Sequence, residues 1–191
     1  QDISVIIFPG DINQIPRNAD GVKGVLNYRY ILGSRNGDQF EAVFPKEARQ
    51  YVERTLEERE IKSIPTLYVL CGDSKSSVSQ VTGIVPLDLQ QDDQVTYLLS
   101  NLEKWLKDGI ACIYLEGGSG SSHPVSAEIV HITKKLIGRY SPRTLLFVGG
   151  GINSQEGVSA IRDDSDCVVI GTHFENSDAS DIDQFISALK Q

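Results

Sequence analysis

Ile113-Tyr114-Leu115-Glu116-Gly117-Gly118-Ser119-Gly120 is an apolar strand that ends in a carboxylate and a glycine-rich turn. Two later stretches share its plan: Leu145-Leu146-Phe147-Val148-Gly149-Gly150-Gly151 and Val168-Val169-Ile170-Gly171-Thr172. Each is a short apolar run broken by glycine and followed by helix-like sequence. Continuous apolar runs of this length suit strands buried on both faces, as in a parallel sheet with helical crossovers.

Working outward, strand and helix keep alternating. Helices are predicted over residues 125–137, 154–162 and 182–190. Asp92 or Asp93 caps the clearest helix, whose stripe of Val95, Leu98, Leu99, Leu102, Trp105 and Leu106 ends near Asp108-Gly109. Trp105 lies on that stripe and reads as core. Further upstream, Pro45 opens a helix carrying Ala48, Tyr51, Val52, Thr55 and Leu56 on one face. Residues 27–44 are mixed in character and read as a long functional or poorly ordered loop. Residues 71–91 form a polar loop with a short helix over 78–82.

Strands are expected at 3–8, 21–26, 65–70, 111–115, 145–148 and 167–170. A (β/α)8 barrel needs eight. The connector 11–18 is shorter than the dozen or so residues that a parallel crossover needs. Either those strands pair antiparallel or a helix has dropped out, and the alternation downstream favours the lost helix. The chain contains no methionine. If its last two strands are the seventh and eighth, the expectation is one barrel domain, 1–191, whose first two strands lie upstream.

A net charge of −8 and a pI of about 4.9 argue against nucleic acid, whose phosphates call for basic patches. No stretch approaches the roughly 18–20 apolar residues of a membrane span. Cys71, Cys112 and Cys167 lie in or beside apolar runs without metal-ligand spacing. They read as reduced thiols of a cytoplasmic protein.

Parallel α/β folds place their sites at the carboxyl ends of the strands, and barrels often hold phosphate after the last two. Gly149-Gly150-Gly151 and Gly171-Thr172 stand there, where glycine admits backbone N–H groups to phosphate oxygens. Ser119 and Thr172 add hydroxyls. The plainer reading, glycines serving tight turns, weakens when three successive strand ends share the feature. Glu116 ends an apolar strand and points to the mouth, where it can accept a proton or hydrogen bond from a substrate hydroxyl. A salt bridge to a neighbouring loop is its structural alternative. Of the histidines, His123 and His131 fall in a loop and a helix; His173 is nearest the site and still reads as peripheral.

These residues resemble the geranylgeranylglyceryl phosphate synthase family, with its bacterial heptaprenylglyceryl relatives. The likeness rests on Tyr114-Leu115-Glu116-Gly117-Gly118-Ser119-Gly120, on Val148 through Ser154, and on Val169-Ile170-Gly171-Thr172. It extends to Ile7-Phe8-Pro9-Gly10-Asp11, Gln14-Ile15, Ala19-Asp20, Leu26-Asn27, Ile64-Pro65-Thr66 with Tyr68, and the segment from Ser77 to Gly83. Ser34-Arg35-Asn36 follows Leu26-Asn27 at a distance, where the family places Ser-Arg-Asn directly after Leu-Asn.

The resemblance implies a modified TIM (β/α)8 barrel lacking the third helix. It implies transfer of a prenyl group, geranylgeranyl-type or longer, from its diphosphate to sn-glycerol 1-phosphate, giving an ether lipid precursor. By resemblance, Tyr114, Leu115, Glu116, Gly117, Gly118, Ser119, Gly120, Gly150, Gly151, Gly171 and Thr172 hold glycerol phosphate, and Glu116 is catalytic. Magnesium is the implied cofactor, its ligands falling on the family's first two strands, so no residue here is named for it. A homo-oligomer is also implied. The competing readings are another phosphate-binding barrel enzyme and a truncated barrel that retains phosphate binding alone.

Overall fold

Six strands lie side by side in parallel in the order β1-β2-β4-β5-β6-β7. They are β1 Val5–Ile7, β2 Val22–Arg35, β4 Ser63–Leu70, β5 Cys112–Glu116, β6 Leu145–Gly149 and β7 Cys167–Val169. The seventh, β3 (Asp38–Val43), folds back antiparallel on β2. The computed structural model describes residues 5–7, 13, 15, 17, 22–35, 38–43, 46–72, 79–80, 83–118, 121, 124–175 and 177–190.

The helices are α1 Lys46–Glu58, α2 Asp92–Lys107, α3 Ala127–Tyr140, α4 Gln155–Ile161, α5 Thr172–Glu175 and α6 Ala179–Lys190. Period-two alternation divides each strand between two cores. Leu67, Val69, Ile113, Leu115, Leu146 and Val148 face outward. There they meet Leu98, Leu102, Trp105 and Leu106 of α2 and Ile129, Val130 and Ile137 of α3. Trp105 is fully buried, as its place on the stripe predicts.

Leu26, Ile31, Tyr68, Leu70, Cys112, Tyr114 and Phe147 point the other way and form one inner cluster spanning β2 to β6. No described helix contributes to that cluster, yet Leu70 and Tyr114 are at most 2% exposed. A parallel sheet must be covered on both faces. Here the inner face is filled by the side chains of the strands themselves.

Two expectations change. Residues 27–35 are not a loop: β2 continues unbroken to Arg35, and Asp38–Val43 completes a hairpin with it. Its polar composition hid a strand held from both sides, by β4 in parallel and by β3, so pairing overrode a weak local signal. Leu26-Asn27 accordingly lies low in the sheet: Leu26 is level with Ile64, and Asn27 is buried with its Nδ2 donating to Ser63 Oγ at 3.1 Å. Higher up, Leu32 is level with Val69 and Val69 with Leu115, so Ser34 and Arg35 arrive at the carboxyl end of the sheet, with β4 between them and β5.

β1 and β2 pair in parallel, which removes the antiparallel alternative; most of the 11–18 connector lies outside the described residues. The first turn of α2 begins after Gln91, whose side chain makes no capping bond; Asp92 and Asp93 act there as charges at the positive end of the helix. In the 71–91 loop, residues 79–80 are helical as expected. Beyond them the chain crosses the carboxyl ends of β2 and β4 through the bridges Ser34↔Val85 and Cys71↔Leu87. Ile84 is thereby inserted into the inner cluster.

Candidate active site

β5 ends in Glu116, and its alternation puts Tyr114 and Glu116 on the inner face. Leu115 lies between them on the outer face, fully buried in the helix-side core, so only its backbone reaches the site. β4 sets Tyr68 directly across from Tyr114, their rings edge to face at 5.1 Å. Tyr28 of β2 lies on the other side of Tyr68 at 4.8 Å. Three adjacent strands thus contribute one inward row of tyrosines below Glu116.

Glu116 is 7% exposed. Such a carboxylate has to be hydrogen-bonded to stay buried. Its Oε1 accepts from the Gly118 N–H at 2.8 Å. The strand is tied in at the same point: the Cys71 N–H donates to the Glu116 carbonyl at 2.8 Å. Burial, then the Glu116 charge, raises both tyrosine hydroxyls far above the ordinary phenol range. Both phenols therefore stay protonated.

The glycines have a sharper purpose than the sequence alone conveys. A Cβ on Gly149 would stand 2.5 Å from the Tyr114 hydroxyl; one on Gly150 would stand 2.4 Å from both Glu116 Oε1 and the Gly118 nitrogen. One on Gly117 would meet the Gly150 carbonyl at 2.8 Å, and one on Gly151 the Ser121 carbonyl at 2.9 Å. These four clear room for the protein's own atoms around the carboxylate. Gly171 differs: nothing lies within 4 Å of its Cβ position, and the residue is exposed. The end of β7 is thus open at Gly171, on the strand beside β6, where Gly149 is level with Val169.

Ser119 and Gly120 lie outside the described residues, as does His123, and Thr172 is described in its backbone only, as the first residue of α5. His131 pairs with Asp164 at 2.9 Å on the surface of α3, away from the site. His173 stacks on Phe185 and Phe174, with centroids 4.6 and 6.1 Å away. Sequence reasoning placed no role on Tyr28 or Tyr68. The signal available was one tyrosine at an inward position in each of three successive parallel strands. Among the described residues no group of three histidines, cysteines or carboxylates converges on a point, so none is assigned to a metal ion.

Residues 1–189 match the model of the PcrB family. The chain is 32% identical over 179 residues to the geranylgeranylglyceryl phosphate synthase of Zunongwangia profunda, covering 93% of this chain and 69% of that protein. It is 31% identical over 177 residues to the synthase of the same name from Methanopyrus kandleri, covering 91% and 66%. It spans about two thirds of the length of these relatives. Among solved structures it resembles (S)-3-O-geranylgeranylglyceryl phosphate synthase of Thermoplasma acidophilum, in complex with sn-glycerol-1-phosphate. The TM-score is 0.75 at 23% identity, over 100% of this chain and 71% of that one. The corresponding synthase of Thermoplasma volcanium aligns with a TM-score of 0.69 at 24% identity, over 100% and 70%. At these identities the two structures speak for the α/β fold with its parallel sheet.

Proposed function

The chain belongs to the PcrB family, and from that premise we propose that it transfers a prenyl group from a prenyl diphosphate to sn-glycerol 1-phosphate. The observation that carries this reading is Glu116, a buried carboxylate at the end of β5, held by the Gly118 N–H above an inward row of tyrosines. Its curated relatives bear the name geranylgeranylglyceryl phosphate synthase, and the Thermoplasma acidophilum structure contains sn-glycerol-1-phosphate.

In the proposed reaction the C1–O bond of the prenyl diphosphate breaks, and diphosphate leaves with the electron pair. The primary hydroxyl oxygen of glycerol phosphate forms the new ether bond to C1, and its proton passes to Glu116. The phosphate lies along the carboxyl ends of β6 and β7, on Gly150, Gly151, Gly171 and Thr172, with Gly117 to Gly120 closing the β5 side. Register supports this placement: Glu116 is level with Gly149, and Gly149 with Val169.

The fold is proposed to be a TIM-type barrel with its third helix missing, a sheet whose inner face is sealed by its own side chains. Magnesium, opposing the charge of the diphosphate, belongs to the reading as well. No described residue is assigned to it. The proposal includes a cytoplasmic homo-oligomer; among the described residues no helix is long and apolar enough to cross a membrane.

The test is a transfer assay with labelled sn-glycerol 1-phosphate and prenyl diphosphates of graded length, on the chain and on Glu116→Gln. General-base loss predicts a fall in kcat of roughly hundredfold or more, with glycerol phosphate still bound. Turnover unchanged by the substitution removes Glu116 from the mechanism.

A further inference from the structure

Where β4 leaves the sheet, Cys71 donates its N–H to the Glu116 carbonyl at 2.8 Å, which brings the next residue, Gly72, beside Gly117. Gly72 has φ of +92°. A Cβ there would collide with the Gly117 carbonyl group, standing 3.0 Å from its carbon and closer still to its oxygen. Only glycine lets these two turns touch.

Gly117 is fixed from its other side as well. Its N–H donates to the Gly149 carbonyl at 2.7 Å, and a Cβ on it would stand 2.8 Å from the Gly150 carbonyl. Three successive strand exits therefore meet backbone to backbone, Gly72 against Gly117 and Gly117 against Gly150.

The consequence falls on Glu116. Its Oε1 accepts the Gly118 N–H at 2.8 Å, so the carboxylate is held by a turn whose own place is set by its neighbours. Gly72 is also tied to the opposite side: its N–H donates to the Leu87 carbonyl at 3.3 Å, in the segment that bridges to Ser34 of β2 through Val85. Gly72 thus links that crossing segment to the turn that supplies the carboxylate's donor.

We infer that Gly72 is a positioning residue for Glu116: its bare backbone seats the Gly117-Gly118 turn, and through it the Gly118 N–H that aims the carboxylate. The catalytic half of this statement rests on the prenyl transfer proposed above; the seating of the carboxylate does not.

The test is Gly72→Ala, made in the wild-type chain and in Glu116→Gln, with Gly109→Ala as control. Gly109, just past α2, has φ of +76° and open space at its Cβ position, so it shares the backbone strain without the collision. The infrared carboxylate band of Glu116, identified by its loss in Glu116→Gln, is expected to shift in Gly72→Ala and to stay in place in Gly109→Ala. An unmoved band in Gly72→Ala, or an equal shift in both, overturns the inference. For transfer, kcat is expected to fall about tenfold in Gly72→Ala with KM little changed, and to fall no further when Glu116 is already Gln. Equal losses in both backgrounds overturn it as well. Gly72→Asn puts the same Cβ on a residue that tolerates positive φ better, and it stands in if Gly72→Ala does not fold. Failure of both to fold, beside a folded Gly109→Ala, makes Gly72 a requirement of the fold and overturns the inference. A wild-type chain without transfer activity instead removes the prenyl-transfer reading, and the band alone then decides whether Gly72 positions Glu116.

Discussion

Gly150 and Gly171 look interchangeable in sequence, yet they occupy opposite environments. Gly150 has φ of +80°, and a Cβ there would collide with the Glu116 carboxylate and the Gly118 nitrogen. Gly150→Ala combines backbone strain with a clash against a buried charge, so a loss of about 2–4 kcal/mol is expected. Denaturant titration reads it as a lowered midpoint. Gly171→Ala meets open space, so stability is expected to stay within about 0.5 kcal/mol of wild type. If Gly171 holds phosphate, calorimetry with sn-glycerol 1-phosphate shows weaker binding for the same variant. Undiminished binding would return Gly171 to the role of a plain turn residue.

Among the elements, α3 shows local and tertiary demands in conflict. Ser126 caps it properly, its Oγ accepting from the Ile129 N–H at 3.3 Å, and Ile129, Val130 and Ile137 fill the outer core. On the same buried face stands Thr133, fully covered, its hydroxyl without a hydrogen-bond partner. A desolvated hydroxyl costs free energy that a methyl of similar shape does not. Thr133→Val should therefore leave stability unchanged or raise it by up to about 1 kcal/mol, measured from the denaturant midpoint. A loss greater than about 1 kcal/mol would show that the hydroxyl is satisfied in solution. β2 carries the other lesson at this scale. Asn27-Tyr28-Arg29-Tyr30-Ile31-Leu32-Gly33-Ser34-Arg35 has neither clean alternation nor an apolar run, and it is a strand because β4 and β3 hold its two edges. A Cβ on Gly33 would stand 2.6 Å from the Val85 carbonyl, so even its glycine reports on a crossing segment far along the chain.

Over the whole molecule, the inner cluster buries groups that can ionise only at high pH. Burial pushes the Cys112 thiol from its ordinary 9.0 up to about 12, and burial likewise raises Tyr28, Tyr68 and Tyr114 there and Cys71 in the helix-side core. Below pH 9 the Cys112 thiol is protonated whether the chain is folded or unfolded. Between 9 and 12 the unfolded chain releases this proton and the folded chain keeps it, so rising pH favours unfolding. The denaturation midpoint is expected to fall steadily from pH 8 to pH 11, and less steeply in Cys112→Ala. Equal slopes would mean that Cys112 does not contribute and that the tyrosines account for the loss.

What the sequence determined by itself was whatever depends on neighbours along the chain. Apolar runs tipped with glycine marked β5, β6 and β7, the stripe from Val95 to Leu106 marked α2, and Glu116 at the end of a strand marked the candidate site. Resemblance in those same residues supplied the family. What only the tertiary structure decided depends on neighbours across the sheet. Strand pairing turned the expected 27–44 loop into a hairpin and carried Ser34 and Arg35 up to the level of Glu116. The same pairing brought Tyr28, Tyr68 and Tyr114 into one row and turned most of the glycines from an open cradle into clearance around a carboxylate. The reason is physical: a hydrogen bond from the end of β4 to β5 joins residues 71 and 116, and local patterning carries no information about a partner so far along the chain.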